Sequence, residues 1–190
     1  VAELSRAGGA AAVTTDGRHR LWLTRDWNTA SYPRRVFWVG MNPSTADAAE
    51  NDPTIRRMIA FSKREGADGM MVLNLSTFRA TDPAHMLAAQ DKRTQAEDFA
   101  VIGDQLVRNR GWVYSVVACW GALKWERSEA ARRWLPEACR AYGMRLLCLG
   151  TTQNGSPRHP LYVRGDQPFF GFGLQERHTQ PNASDGREAP

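Results

Sequence analysis

The sequence predicts an α/β fold, a three-layer sandwich with a mostly parallel central sheet of about four strands and helices on both faces. Three observations predict it. Four short runs rich in β-branched, aromatic and other apolar residues are each closed by Gly, Asn or Trp. Between them lie segments whose apolar residues recur at helical spacing. The two kinds follow one another as β-α-β-α-α-β-α-β, the order of an open sheet wound with helices on either side.

Each element has its own signal. The run RVFWVG at 35–40 reads as a strand buried on both faces, stopped by Gly and the Asn-Pro-Ser that follows. Asp52-Pro53 opens a helix carrying Ile55, Met58, Ile59 and Phe61 on one side and closing on Gly66. The run GMMVLNL at 69–75 is a second buried strand. Thr81-Asp82-Pro83 starts a helix through Met86, Leu87 and Ala88, and a further helix covers 94–108 with Phe99, Ile102, Leu106 and Val107 together. The run VYSVVACW at 113–120 is a third strand, 128–142 a helix, and 145–149 a fourth strand. A hairpin around Gly17, with 19–23 as its second strand, precedes them. Residues 1–17 and 175–190 read as tails on a single domain over 18–174.

Composition narrows the class. A hydrophobic share of 42% and a charged share of 24% exclude a disordered or collagen-like chain, and seven Trp point to a substantial core. No apolar run approaches the roughly 18–20 residues that cross a bilayer, and the first residues lack the basic start of a signal peptide. A soluble, cytoplasmic protein with no membrane partner is expected. Cys119, Cys139 and Cys148 are too widely spaced for a disulfide framework or a metal-binding pair and read as small buried side chains. No metal and no cofactor is expected.

The net charge of +5 is unevenly placed. Residues 42–104 hold seven Lys/Arg against ten Asp/Glu, whereas 105–165 hold ten against three. Such asymmetry suits a polyanion such as nucleic acid and also occurs on ordinary soluble enzymes.

In open α/β sheets ligands gather beyond the carboxyl ends of the strands. That rule selects residues 40–47, 74–79, 120–121 and 150–162, and with them Asn42, Asn74 and His159, whose polar ends converge on one edge. Taken together, Gly40-Met41-Asn42-Pro43-Ser44, Asn74-Leu75-Ser76-Thr77-Phe78-Arg79 with Asp82-Pro83, and Arg158-His159-Pro160 resemble, in order, the motifs of the uracil-DNA glycosylase superfamily. The resemblance covers roughly residues 34–172. The same set, with NPSTAD, DPTIRR, ATDP, WG and RHPLY, also resembles a bacterial and phage domain family of unsettled role.

The resemblance implies a pocket that takes a base flipped from the stack, and cleavage of its N-glycosidic bond. Asn42 would orient the attacking water through its carbonyl oxygen, and His159 would donate to the base oxygen where negative charge grows. Asn74 offers a donor and an acceptor to a pyrimidine edge, with Pro43 and Ser44 against the base and Phe78 or Phe61 stacked on it. Arg158, Leu161 and Tyr162 would meet the DNA, the last two as a wedge. The partner implied is duplex or single-stranded DNA, bound by a monomer. Two departures leave the target base open: Leu161 stands where most members have Ser, and Ser44 stands where the mismatch-specific members have Gly.

Plainer readings stand beside these. Asn42-Pro43-Ser44 makes a turn and helix cap in many proteins. Asn74 can satisfy neighbouring backbone groups, and His159 can be a loop residue. Phe61 sits in an apolar stripe and reads more as core, while Arg56-Arg57, Lys63-Arg64 and Arg132-Arg133 read as solvated helix faces. Two function classes therefore accompany the hydrolase: a non-catalytic module that binds modified bases or nucleotides, and an unrelated α/β enzyme on a small nucleotide, for which no GxGxxG or Walker-type loop is present.

Overall fold

Val36, Phe37, Trp38 and Val39 are fully buried on strand β4 (Arg35–Gly40), near the middle of a single sheet. The computed structural model describes residues 1–6, 8–28, 31, 33–44, 50–89 and 93–173. Within them the chain forms β1 (Ala2–Arg6), β2 (Gly9–Val13), β3 (Arg20–Asp26), β4, α1 (Pro53–Arg64), β5 (Gly69–Asn74), α2 (Pro83–Ala88) and α3 (Gln95–Arg108). There follow β6 (Val113–Ala118), α4 (Glu126–Ala141), β7 (Leu146–Cys148), a 3-10 turn over Pro160–Tyr162 and β8 (Phe170–Gly171).

The sheet corrects the expected architecture. It has eight strands in the order β1-β2-β3-β5-β4-β6-β7-β8. Four of the seven ladders are antiparallel, β1/β2, β2/β3, β3/β5 and β7/β8, so it is a mixed sheet and not a mostly parallel one of about four strands. The difference comes from both ends of the chain. Residues 1–17, expected as a tail, supply β1 and β2, and Phe170 and Gly171 pair with Cys148 and Leu147. The segment 175–190, also expected as a tail, lies outside the described residues.

Helices cover both faces because successive side chains of a strand point to opposite sides. Val36, Trp38, Val72 and Val117 pack with Ile55, Met58 and Phe61 of α1. Phe37, Val39, Leu73 and Val116 pack on the other side with Phe99, Ile102 and Leu106 of α3 and Ala131 and Leu135 of α4. Full burial of each such side chain stabilises the fold by about 1.5–3 kcal/mol. Phe61 is thus core, 2% exposed, and unavailable for stacking on a ligand. Cys119, Cys139 and Cys148 are buried too, and burial pushes all three thiols above the ordinary value.

Helix starts follow the sequence chemistry. The Asp52 carboxylate accepts from Ile55 N at 2.7 Å ahead of Pro53, Asp82 accepts from Ala84 N at 2.8 Å ahead of Pro83, and Thr94 and Glu97 form a capping box. Two arginines expected on a solvated face of α1 are instead fasteners. Arg57 donates to the carbonyls of Pro160 and Val163, and Arg64 to those of Gly165 and Gln167, holding residues 160–167 against α1. Arg132 likewise donates to Asn154 O at 3.0 Å.

Because β4 has parallel neighbours on both sides, β5 reached through α1 and β6 reached through α3, the strand order reverses at β4. The helices diverge there, and a crevice opens beyond the carboxyl end of the strand. Among the described residues no helix is long and apolar enough to cross a membrane.

Candidate functional site

A cleft of about 380 Å³ occupies that crevice. Asn42 from the end of β4, Asn74 from the last position of β5 and His159 from the loop after β7 all line it. Ser44, Leu161 and Tyr162 line it as well.

Asn42 has a fixed orientation. Its Nδ2 donates to Ala80 O at 2.7 Å and Pro43 O at 3.1 Å, so both amide hydrogens are engaged and the cleft can meet only its oxygen, Oδ1. Asn74 is oppositely disposed. It is 3% exposed, and its Nδ2 finds no hydrogen-bond partner among the described residues. An unmet buried donor of this kind costs about 1–3 kcal/mol, which an acceptor on a ligand would recover. Gly40 permits the placement, because a Cβ there would sit 3.0 Å from Asn74 Oδ1.

His159 is half-buried. Its Nδ1 accepts from Leu161 N at 3.4 Å, which leaves the proton of the neutral ring on Nε2 as a donor. Burial holds its pKa below the ordinary histidine value, partly opposed by the negative charge of Asp52. Gly121, at a φ of +85°, packs close to His159: its N–H donates to Pro157 O, and a Cβ would stand 3.6 Å from the His159 Cβ.

Among the other lining residues, Trp120 falls in segment 120–121, which the strand-end rule selects without giving it a role, while Asp52 and Arg20 lie outside the selected segments. Trp120, just beyond β6, is 1% exposed, and its Nε1 is a second buried donor without a hydrogen-bond partner among the described residues. Asp52 is the one carboxylate among the described lining residues; its Oδ2 accepts from the Ser44 hydroxyl while Oδ1 caps α1. Arg20, the first residue of β3, is the one cation among them. The Asn-Pro-Ser run spaced from Asp52-Pro53 was the available signal for Asp52. Arg20 had none, because it comes from an antiparallel strand.

Other expected site residues fall elsewhere. Pro43 is buried and contributes its carbonyl, which accepts from Asn42 Nδ2 and Ala80 N, in place of a surface against the base. Phe78 does not line the cleft but an adjoining depression. Arg158 is exposed with its Nε on Thr151 O at 3.0 Å, and is not among the lining residues. Leu161 and Tyr162 are 39% and 80% exposed at the rim. Thr45, Ala46 and Asp47 of the first motif lie outside the described residues. No three His, Cys, Asp or Glu side chains gather as a metal site among the described residues.

The cleft therefore brings together an oriented amide oxygen, a carboxylate and an imidazole, with the buried donors Asn74 Nδ2 and Trp120 Nε1 in lining residues.

Comparison with known proteins yields one relationship. No curated protein and no solved structure matches the chain. A family model described as a protein of unknown function (DUF1643) matches residues 20–161, from the cleft cation Arg20 to the rim residue Leu161, and the chain belongs to that family.

Proposed function

We propose that the cleft receives a uracil or modified pyrimidine base flipped out of DNA and that the protein hydrolyses its N-glycosidic bond. The observation carrying this reading is the convergence of Asn42, Asn74 and His159, from three separate strand ends, on one cleft whose buried donors on Asn74 and Trp120 lack hydrogen-bond partners among the described residues. Keto oxygens of a pyrimidine supply the missing acceptors.

In this reading Asn42 Oδ1 accepts a hydrogen bond from a water and aims its lone pair at C1′ of the sugar. As the bond from C1′ to the base nitrogen breaks, the electron pair leaves with the base, and the negative charge spreads to its carbonyl oxygens. His159 Nε2–H and the Asn74 amide hydrogens stabilise that charge. The water oxygen bonds to C1′ and its proton passes to Asp52, whose carboxylate also offsets the positive charge on the sugar. The protein acts as a monomer in the cytoplasm, where its three free cysteines stay reduced.

Oligonucleotides carrying uracil or 5-substituted pyrimidines, incubated with the protein and then treated with alkali, test the reading. Strand scission at the modified position supports it, and intact strands on every substrate remove it. One observation favours a second reading, a binding module of the same fold: both Asp52 oxygens already accept hydrogen bonds. Tight oligonucleotide binding without scission is its signature.

A further inference from the structure

A second depression, of about 330 Å³, adjoins the cleft, and Ser44, Ala80 and Thr81 line both. Its outer wall carries Arg18, Arg79 and Phe78. Backbone pairing sets these residues side by side although they lie far apart in sequence. Arg79 N donates to Arg18 O at 2.9 Å, Arg20 N donates to Thr77 O at 2.9 Å, and His19 and Phe78 form an antiparallel bridge. Arg79 Nη1 also donates to Gly17 O at 3.1 Å, and the Phe78 ring stands edge-on to His19 with centroids 5.6 Å apart. The wall is thus built by the β2–β3 hairpin and the loop after β5 together. Asp16 is the one carboxylate on it, held by the Thr14 hydroxyl and by Arg18 N.

None of the ten Lys or Arg of residues 105–165 lines the cleft or the depression. Two cations beside an aromatic ring, continuous with a cleft for a planar group, form the pattern that tracks a single nucleic-acid strand. Guanidinium groups take phosphate oxygens, and the ring offers a face to the neighbouring base.

We propose that this depression binds the phosphodiester next to the nucleotide whose base fills the cleft, so that the ligand is a DNA strand and not a free nucleoside. The inference rests on the base-binding reading of the cleft and adds the strand's path, over Arg18 and Arg79 and away from Arg158.

Fluorescence anisotropy with a labelled single-stranded DNA dodecamer bearing one deoxyuridine tests it. Arg18→Gln and Arg79→Gln are each expected to weaken binding about tenfold and to flatten the slope of log K against log salt by ~0.7, the value for one phosphate contact on a single strand. Thr81→Glu, placing a negative charge on the shared rim, is expected to weaken it similarly. Arg158→Gln should leave it unchanged. Arg79→Lys, keeping the charge, should restore most of the loss, which a merely structural role for Arg79 would not produce. Wild-type affinity and salt slope in both glutamine variants overturn the inference, as does a strand bound no more tightly than deoxyuridine itself. Base release measured on the same samples separates the two claims. Arginine-dependent strand binding with no base released upholds the phosphate site and removes the hydrolase, whereas release with arginine-independent binding does the reverse.

Discussion

The side-chain amide of Asn42 donates to the carbonyl of Ala80 at 2.7 Å, tying the end of β4 to the loop after β5. That bond decides which atom Asn42 turns to the cleft, and it joins Asn42 to Ala80 on the rim shared with the second depression.

Replacement of Asn42 is accordingly expected to fail in two ways. Asn42→Ala removes both the oriented oxygen and the brace, lowering base release about a hundredfold and stability by about 1–3 kcal/mol. Asn42→Asp supplies a stronger base but sets a carboxylate against the carbonyls of Ala80 and Pro43, with no hydrogen to give either. It is expected to be as slow as the alanine variant in single-turnover assays and less stable than wild type in urea melts. An aspartate variant faster than wild type would refute the assigned orientation.

Gly40→Ala is a test of the Asn74 subsite that removes no functional group. Its Cβ at 3.0 Å from Asn74 Oδ1 forces the amide to shift. Base-containing ligand is expected to bind about tenfold more weakly, a difference of about 1.4 kcal/mol. Unchanged affinity in a calorimetric titration would show that Asn74 does not meet the ligand.

Stability rests on a different group of polar residues. Asp98, fully buried, accepts from Arg127 and from the Thr77 hydroxyl at 2.7 Å, lies 3.3 Å from Arg93, and through Thr77 joins His19 Nδ1 at 2.9 Å. Asp98→Asn leaves the Arg127 guanidinium buried without its counter-charge and is expected to cost about 3–5 kcal/mol in urea melts. The double variant Asp98→Asn with Arg127→Met should recover part of that loss, because the stranded charge is gone.

The pH dependence follows from His159 and His19, whose pKa values burial lowers from the ordinary 6.5. Between that value and the folded-state pKa the unfolded chain binds more protons than the folded one, so stability rises with pH across this window and falls as acid is added. Protonation of His159 also destroys the acceptor that holds Leu161 N. Base release should therefore persist below pH 6.5 and then drop, and His159→Gln should flatten that limb. A rate that climbs on acidification through this range would mean that the charged ring is the active form.

Much of this was legible in the sequence where local chemistry repeats itself. The caps Asp52-Pro53, Asp82-Pro83 and Thr94 with Glu97 mark helix starts because one side-chain oxygen answers one orphan N–H. Asn42, Asn74 and His159 were reachable because the ends of buried strands can be read from runs such as RVFWVG. What escaped has partners far away in the chain. β2 is mostly alanine and is a strand by virtue of pairing with β3, and β8 has only two residues, so the antiparallel share of the sheet went unseen. Arg57 looked solvated because its acceptors, Pro160 and Val163, lie over a hundred residues on. Phe78 followed Asn74 closely enough to suggest a shared pocket, but the bridge to His19 turns that segment toward the arginine wall.

The most direct test of the central claim is a single-turnover measurement of free base, by mass spectrometry, from oligonucleotides carrying uracil and a panel of 5-substituted pyrimidines. Stoichiometric release from at least one of them is expected of the wild-type protein, slowed about a hundredfold by His159→Ala and by Asn42→Ala. No free base from any oligonucleotide that the protein demonstrably binds would contradict it.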